Sequence, residues 1–284
     1  MRVVILGGGP GGYTAAVRAA QNHHETTLIE AAHLGGTCLN QGCIPSKIFR
    51  RTADMADDMA SCHQMGFEGG ELPKVSMGAL QKRKSAVIQS QRRGLESLMK
   101  HHGIQVLQGH GSCEAPGKIR VATPSGESVS VPYDRLIIAA GSVPVDLPHC
   151  PADGETVLTS DHLLDLETLP ASALVVGGGV IGCEFAFILS SFGVKVSVVE
   201  AKERVLSLPG ISKETSRLVE TAMKKRKIKP LCGRLVRSIE KENGLCHVHL
   251  ESAVTPGKEE SVAVEKVFTM VGRSAASKAL GLDM

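Results

Sequence analysis

Two cysteines, Cys38 and Cys43, lie in the run Gly35-Gly36-Thr37-Cys38-Leu39-Asn40-Gln41-Gly42-Cys43-Ile44-Pro45-Ser46-Lys47. Pro45 suits the first turn of a helix, so Cys43 falls at or just before a helix N-terminus. The field of that terminus, with Lys47 about one turn on, favours a reactive thiolate. Such a pair can serve as a redox-active disulfide, contribute to a metal site, or stay as inert thiols. The metal reading lacks ligands. A plant-type iron–sulfur run needs cysteine where Ser46 stands, and no zinc-type second pair follows, so no metal ligand is assigned.

Two glycine-rich turns carry a second chemistry. They are Gly7-Gly8-Gly9-Pro10-Gly11-Gly12 and Gly177-Gly178-Gly179-Val180-Ile181-Gly182. In each G-x-G-x-x-G the first glycine makes the tight turn and the second lets backbone approach a pyrophosphate. The third lets helix pack on strand. The phosphates of a dinucleotide then sit on a helix N-terminus. An acid follows the last glycine of each turn by 18 residues, Glu30 in one and Glu200 in the other. A carboxylate there accepts hydrogen bonds from a ribose 2′-OH. A 2′-phosphate would meet like charge, costing up to about 4 kcal/mol at ~4 Å and an effective dielectric near 20. Half of that is still more than tenfold in affinity. Lys202 and Arg204 are near Glu200 but Glu203 stands between them, so the second site should prefer NAD over NADP.

These residues need elements to hold them. Val3-Val4-Ile5-Leu6 leads into the first turn, a helical stretch runs from Tyr13, and an apolar run ends at Glu30. Leu174-Val175-Val176 leads into the second turn, and Val198-Val199 ends at Glu200. That is one β-α-β plan used twice. The tails match too. Residues 105–133 and 230–265 read as short alternating strands, with turns at Ala115-Pro116-Gly117, Pro124-Ser125-Gly126, Glu242-Asn243-Gly244 and Thr255-Pro256-Gly257. Return strands follow, Leu136–Gly141 and Val267–Gly272. The first half carries an insertion after Glu30: a Gly/Cys loop at 35–43, a helix from about 45 and another near 76–101. The proline-bearing stretch 143–172 reads as the connection between domains.

Composition narrows the classes. The chain has 284 residues with 42 % hydrophobic and 21 % charged side chains, the balance of a soluble globular protein. A net charge of +3 does not argue for nucleic acid or membrane, and two Tyr, six Phe and no Trp give few stacking platforms. The run Lys224-Lys225-Arg226-Lys227 reads as a solvated helix end. The start does not read as a signal peptide, and the apolar stretch near 173–194 is interrupted by the triple Gly177-Gly178-Gly179 and by Glu184, so no bilayer span is expected. Eight cysteines without a secretory signal point to a reducing, cytoplasmic compartment. Cys62, Cys113, Cys150, Cys183, Cys232 and Cys246 read as small apolar residues. His247-Val248-His249 could form half a metal site but reads as a solvated strand face. His23-His24 and His101-His102 read as exposed helix ends.

The motif GGTCLNxGCIPSK between two dinucleotide fingerprints resembles the flavin-dependent pyridine nucleotide–disulfide oxidoreductases, over Met1 to about Gly272. Leu39, Ile44, Ser46, Tyr13 and Glu200 are most similar to its dihydrolipoamide dehydrogenase branch, with mercuric or other disulfide reductases as the alternative. The resemblance implies an α/β fold of two Rossmann-like FAD/NAD(P)-binding domains, each a parallel sheet with a small antiparallel meander. The FAD domain would span 1–146 and the NAD domain 147–272, with 273–284 starting back to the first. By the same resemblance Gly7, Gly9, Pro10, Gly11, Gly12, Glu30, Gly36, Thr37, Lys47, Gly111, Ala140, Gly141 and Ser142 would face FAD. Gly177, Gly179, Val180, Ile181, Gly182, Glu200 and Gly272 would bind NAD. Cys38 would be the thiol that exchanges with a dithiol substrate such as lipoamide, free or carried on an acyltransferase. Cys43 would be the flavin-proximal thiol, and Glu184 would pair with Lys47. Electrons would pass from dihydrolipoamide through a Cys38–Cys43 disulfide and FAD to NAD+.

Three departures bear on this. Ala140 stands where the family has Thr, and Ser274-Ala275-Ala276 replaces Arg-Pro-Asn. The chain stops at Met284 without the Gly-Asp motif or the C-terminal dimerisation domain that supplies a His-Glu base to a homodimer. His63…Glu68 and His162…Glu167 share the His-x4-Glu spacing but not its surroundings. The isolated chain is therefore expected to have little or no turnover. A reading of another class is a non-catalytic dinucleotide-binding module.

Overall fold

A computed structural model describes residues 1–69, 73–255, 257 and 259–282. The chain divides into two compact units. Unit 1 is Met1–Lys47, Lys82–Val143 and Ser274–Met284, and unit 2 is Ile48–Gln81 and Pro144–Arg273.

The chain opens with β1 (Arg2–Leu6), α1 (Pro10–Gln21) and β2 (Glu25–Glu30), followed by α2 (Gly36–Gln41), α3 (Cys43–Ala60) and α4 (Met77–His101). The strands β3 (Gln105–Gln108), β4 (His110–Ala115), β5 (Lys118–Ala122), β6 (Ser128–Pro132), β7 (Arg135–Ile138) and β8 (Ser142–Pro144) come next. Then come β9 (Val157–Thr159), α5 (Ser160–Leu163), β10 (Ser172–Val176), α6 (Val180–Ser191), β11 (Lys195–Glu200) and α7 (Lys213–Lys225). The chain closes with β12 (Lys229–Cys232), β13 (Arg234–Glu242), β14 (Leu245–Ser252), β15 (Glu259–Val264), β16 (Lys266–Thr269) and β17 (Arg273–Ala275).

Unit 1 holds a parallel sheet in the order β3-β2-β1-β7, and unit 2 one in the order β12-β11-β10-β16-β9. Each has its antiparallel meander, β4-β5-β6 and β13-β14-β15. Strands covered on both faces read as unbroken apolar runs. Val3 and Ile5 pack with Ala16 and Met99, while Val4 and Leu6 pack with Ile119 and Val121 of the meander. In unit 2, Leu174 and Val176 pack with Val248 and Leu250 of β14 in the same way.

Four local expectations change. The loop expected at 35–43 is mostly helix: Gly35 and Gly36, at φ 99° and 53°, turn the chain into α2, and only Gly42 interrupts it before α3. The helical turn carries Leu39 into the core, where its side chain loses contact with water. Residues 105–108 and 229–232 leave the meanders and extend the parallel sheets as β3 and β12, satisfying the outer backbone groups of β2 and β11. The stretch 143–172 is more than a connection, since β9 pairs with β16 as a fifth parallel strand. Segment 48–81, expected with the first domain, belongs to unit 2. The cause is packing on α3. Phe49, 1 % exposed, meets Phe192 at 6.3 Å between ring centres, and Asp57 binds Arg226 at 2.6 Å. Gln81 adds bonds to the carbonyls of Leu164 and Leu166. Of the turn at 255–257, Pro256 lies outside the described residues.

Candidate active site

The two glycine-rich turns are copies of each other at bond level. Gly7 N–H donates to the Ile29 carbonyl and Gly177 N–H to that of Val199, both at 2.8 Å. Gly9 and Gly179 cap α1 and α6 with the same backbone angles, φ −74° and ψ near 180°. Steric need decides the outer glycines. A Cβ on Gly12 would lie 1.7 Å from the Gly7 oxygen, and one on Gly182 would lie 1.9 Å from that of Gly177. Gly7 and Gly177 turn at φ +102° and +112° against the carbonyls of Ala139 and Met270. The middle glycines are different. A Cβ on Gly179 meets nothing within 4 Å, and one on Gly9 meets only the Gly36 Cα at 3.6 Å.

That space lies over a helix N-terminus with no side-chain cap and no acid in its first turn. Unpaired N–H groups and the helix dipole make it a phosphate cradle, so a dinucleotide pyrophosphate fits both turns. Val180 and Ile181, 56 % and 38 % exposed, flank the second cradle as apolar walls.

Both acids are fixed by backbone. Glu30 Oε2 accepts from Gly8 N–H at 2.6 Å and Oε1 from Ala32 N–H at 2.7 Å. Glu200 repeats this with Gly178 at 2.7 Å and Lys202 at 2.9 Å. Each carboxylate oxygen keeps a second lone pair for a ribose hydroxyl. The two cations near Glu200 are occupied elsewhere. Lys202 Nζ donates to the Ser207 carbonyl at 2.9 Å, and Arg204 donates to the carbonyls of Leu206, Ile211 and Ser212 and to the Ser216 hydroxyl.

The insertion brings the cysteine pair to the first turn. A Cβ on Gly36 would lie 2.6 Å from the Gly9 Cα, so glycine is required where α2 meets the turn. Thr37 and Cys38 follow on α2, and Cys43 opens α3. Cys38 is half-buried, Cys43 is exposed, and both are free thiols with their side chains in hydrogen-bonding reach. Burial, then the neighbouring Cys43, pushes the Cys38 thiol above its ordinary value. Ser46 N–H and hydroxyl both donate to the Gly42 carbonyl, closing the break between the helices. Lys47 is exposed on α3 and Glu184 is half-buried on α6.

The remaining expected residues are placed as follows. Gly111 lies on β4, where a Cβ would strike Leu6 at 2.5 Å, so close crossing of sheet and meander already requires it. Ala140, Gly141 and Ser142 follow β7, and Gly141, at φ +76°, accepts from Ala276 N–H at 3.0 Å. Gly272, at φ +131°, lies just past β16 and accepts from Val145 N–H at 3.0 Å.

Sequence reasoning missed Asn40 and Arg92, whose side chains join beside the cysteines. Asn40 gave no signal, because 35–43 read as a loop and Asn is ordinary in one. Arg92 gave none. His162 is a capping residue, its Nδ1 bonded to Thr159 N–H at 3.1 Å at the start of α5. Among the described residues no group of three His, Cys, Asp or Glu side chains is arranged to hold a metal ion. Among them, too, no helix is long and apolar enough to cross a membrane.

The profile of the pyridine nucleotide-disulphide oxidoreductases matches residues 1–284. The chain belongs to this family. Members use FAD and NAD(H), the kind of ligand both cradles fit. As a pyridine nucleotide-disulphide oxidoreductase it is 39 % identical to a dihydrolipoyl dehydrogenase of Bacillus subtilis, over 99 % of this chain and 60 % of that protein. It is 35 % identical to a dihydrolipoamide dehydrogenase of Chaetomium thermophilum, over 99 % of this chain and 56 % of the other. Among solved structures, LpdA of Mycobacterium tuberculosis superposes with TM-score 0.89 at 28 % identity, covering all of this chain and 61 % of its own. The HOCl-induced flavoprotein disulfide reductase RclA of Escherichia coli superposes with TM-score 0.80 at 25 % identity, over 99 % and 58 %. The chain thus spans about 60 % of the length of such relatives.

Proposed function

We propose that this flavoprotein disulfide oxidoreductase accepts electrons from dihydrolipoamide through Cys38 and Cys43 and passes them toward NAD+. The observation that carries the reading is the cysteine pair in hydrogen-bonding reach, Cys38 on α2 and Cys43 opening α3, with α2 starting at Gly36 against Gly9 of the first dinucleotide turn. In the oxidised form Cys38 and Cys43 share a disulfide. One dihydrolipoamide thiolate attacks the Cys38 sulfur and releases Cys43 as a thiolate. The second substrate sulfur then displaces Cys38, leaving lipoamide and a protein dithiol, two electrons having moved. FAD, when bound, supplies the two-electron relay from that dithiol to NAD+. Gly7 to Gly12 and Glu30 hold the diphosphate and adenosine ribose of FAD; Gly177 to Gly182 and Glu200 do so for NAD+. Lys47, on α3 about one turn past Cys43, supplies positive charge beside the pair. Glu200, with Lys202 and Arg204 already engaged, supports NAD+ over NADP+.

Thiol titration tests the first half. Dihydrolipoamide added to the oxidised chain should raise the accessible thiols by two, and Cys38→Ser should abolish the gain. No gain in the unaltered chain would overturn the reading. Mercuric and other disulfide reductases pass electrons to their substrates, so those substrates are offered to the dithiol form of the chain and their reduction is followed.

A further inference from the structure

Between the two cysteines in sequence stands Asn40, whose amide is bonded at both its nitrogen and its oxygen. Nδ2 donates to the carbonyls of Gly36 at 2.8 Å and Leu34 at 3.2 Å, stapling the left-handed turn at Gly35 and Gly36 to the body of α2. An amide can do this only if its oxygen faces the other way. That oxygen accepts from Arg92 Nε at 2.6 Å, across 52 residues of sequence. Arg92 is half-buried on α4, whose Ile88 and Met99 are buried and hold the helix in place. Arg92 therefore decides which way the Asn40 amide points, and the amide decides how α2 enters from the Gly9 contact. Cys38 rides on α2, whereas Cys43 opens α3 across the Gly42 break, so their approach depends on the orientation of α2.

We infer that Arg92 and Asn40 are positioning residues that set the stability of the Cys38–Cys43 disulfide. The inference rests on the proposed redox role of that pair. Its physical basis is effective concentration: a pair held in bonding geometry forms its disulfide more completely than one that must search for it. Removing the Arg92 donor frees the amide to rotate, loosens the staple and lowers the effective concentration of one thiol at the other.

The reaction that reads this is protein dithiol plus oxidised glutathione giving protein disulfide plus two reduced glutathione. Two electrons pass to glutathione, and the two thiol protons end on its sulfurs. The full 284-residue chain is equilibrated in glutathione mixtures and its free Cys38 and Cys43 are counted after acid quench and alkylation. Arg92→Met should lower the equilibrium constant about tenfold, which is close to 30 mV in the pair's potential. Arg92→Lys, which keeps one donor, should recover part of the loss. Asn40→Ala should match Arg92→Met, and the double variant should be no worse than either, since both remove one device. Circular dichroism of each variant establishes that it is folded, and a variant that is not is replaced by Arg92→Gln. An unchanged constant in folded Arg92→Met, while the unaltered chain forms the disulfide, overturns this inference alone. Failure of the unaltered chain to form the disulfide overturns the redox reading itself.

Discussion

At residue scale, the glycines of one turn are not equivalent, and substitution should separate them. Gly182→Ala drives a Cβ into the Gly177 carbonyl at 1.9 Å and should cost about 3 kcal/mol or more. Gly179→Ala meets nothing within 4 Å and keeps a backbone that alanine adopts, so it should cost less than about 1 kcal/mol. The added methyl instead occupies the phosphate cradle, so NAD+ affinity should fall about tenfold while the melting temperature barely moves. Calorimetry and nucleotide titration on the two variants check both outcomes. Cys38, its thiol raised by burial and by Cys43, should be alkylated slowly at pH 7–8 in the dithiol form and faster as pH passes its ordinary value of 9.0. Cys38 is a residue whose importance the spacing makes plain. Arg92, bonded to Asn40 two residues on, was illegible because one side-chain bond across 52 positions leaves no local pattern.

At element scale, the strand–turn–helix–strand units were readable because their period and turn chemistry are local. The helix α2 was not, since Gly35, Gly36 and Gly42 read as breakers when two of them set its entry and one its end. The allegiance of α3 was equally hidden, because Phe49 and Asp57 find partners more than 130 residues away. Phe49→Ala should cost about 3–5 kcal/mol by the cavity it leaves. Buried Cys246 should then become reactive to thiol reagents at lower denaturant, reporting loss of unit 2. The loop before β9 makes a pH prediction. Burial alone would raise the Asp153 carboxyl, but the bonds from Lys241, Thr156 and the backbone N–H groups of Glu155 and Val157 outweigh it and hold the group well below its usual value. A carboxylate so held stabilises the fold above its unfolded pKa near 4 and loses that contribution as pH falls below it. After discounting for exposure, roughly 1 kcal/mol is involved. Asp153→Asn should flatten the stability profile of the chain below pH 4, measured by denaturant titration.

At the scale of the whole molecule, one architectural plan occurs twice, and the repeat was legible in two equal spacings from turn to acid. What the repeat could not disclose is where the copies differ. In unit 2 the return strand β16 is covered by β9, and Phe268 and Thr269 are buried. In unit 1 the return strand β7 is the edge of its sheet, with Ile137 and Ile138 at 37 % and 46 % exposure. Such a margin governs how the purified chain behaves in a concentrated tube. Unpaired amides beside greasy side chains invite other copies to zip on, and Arg135 is the one charge on the strand to discourage them. Shelf life, salt tolerance and the ceiling on concentration should therefore be set by the four residues of β7. Ile138→Lys is the simplest way to raise that ceiling, and light scattering against concentration would show it.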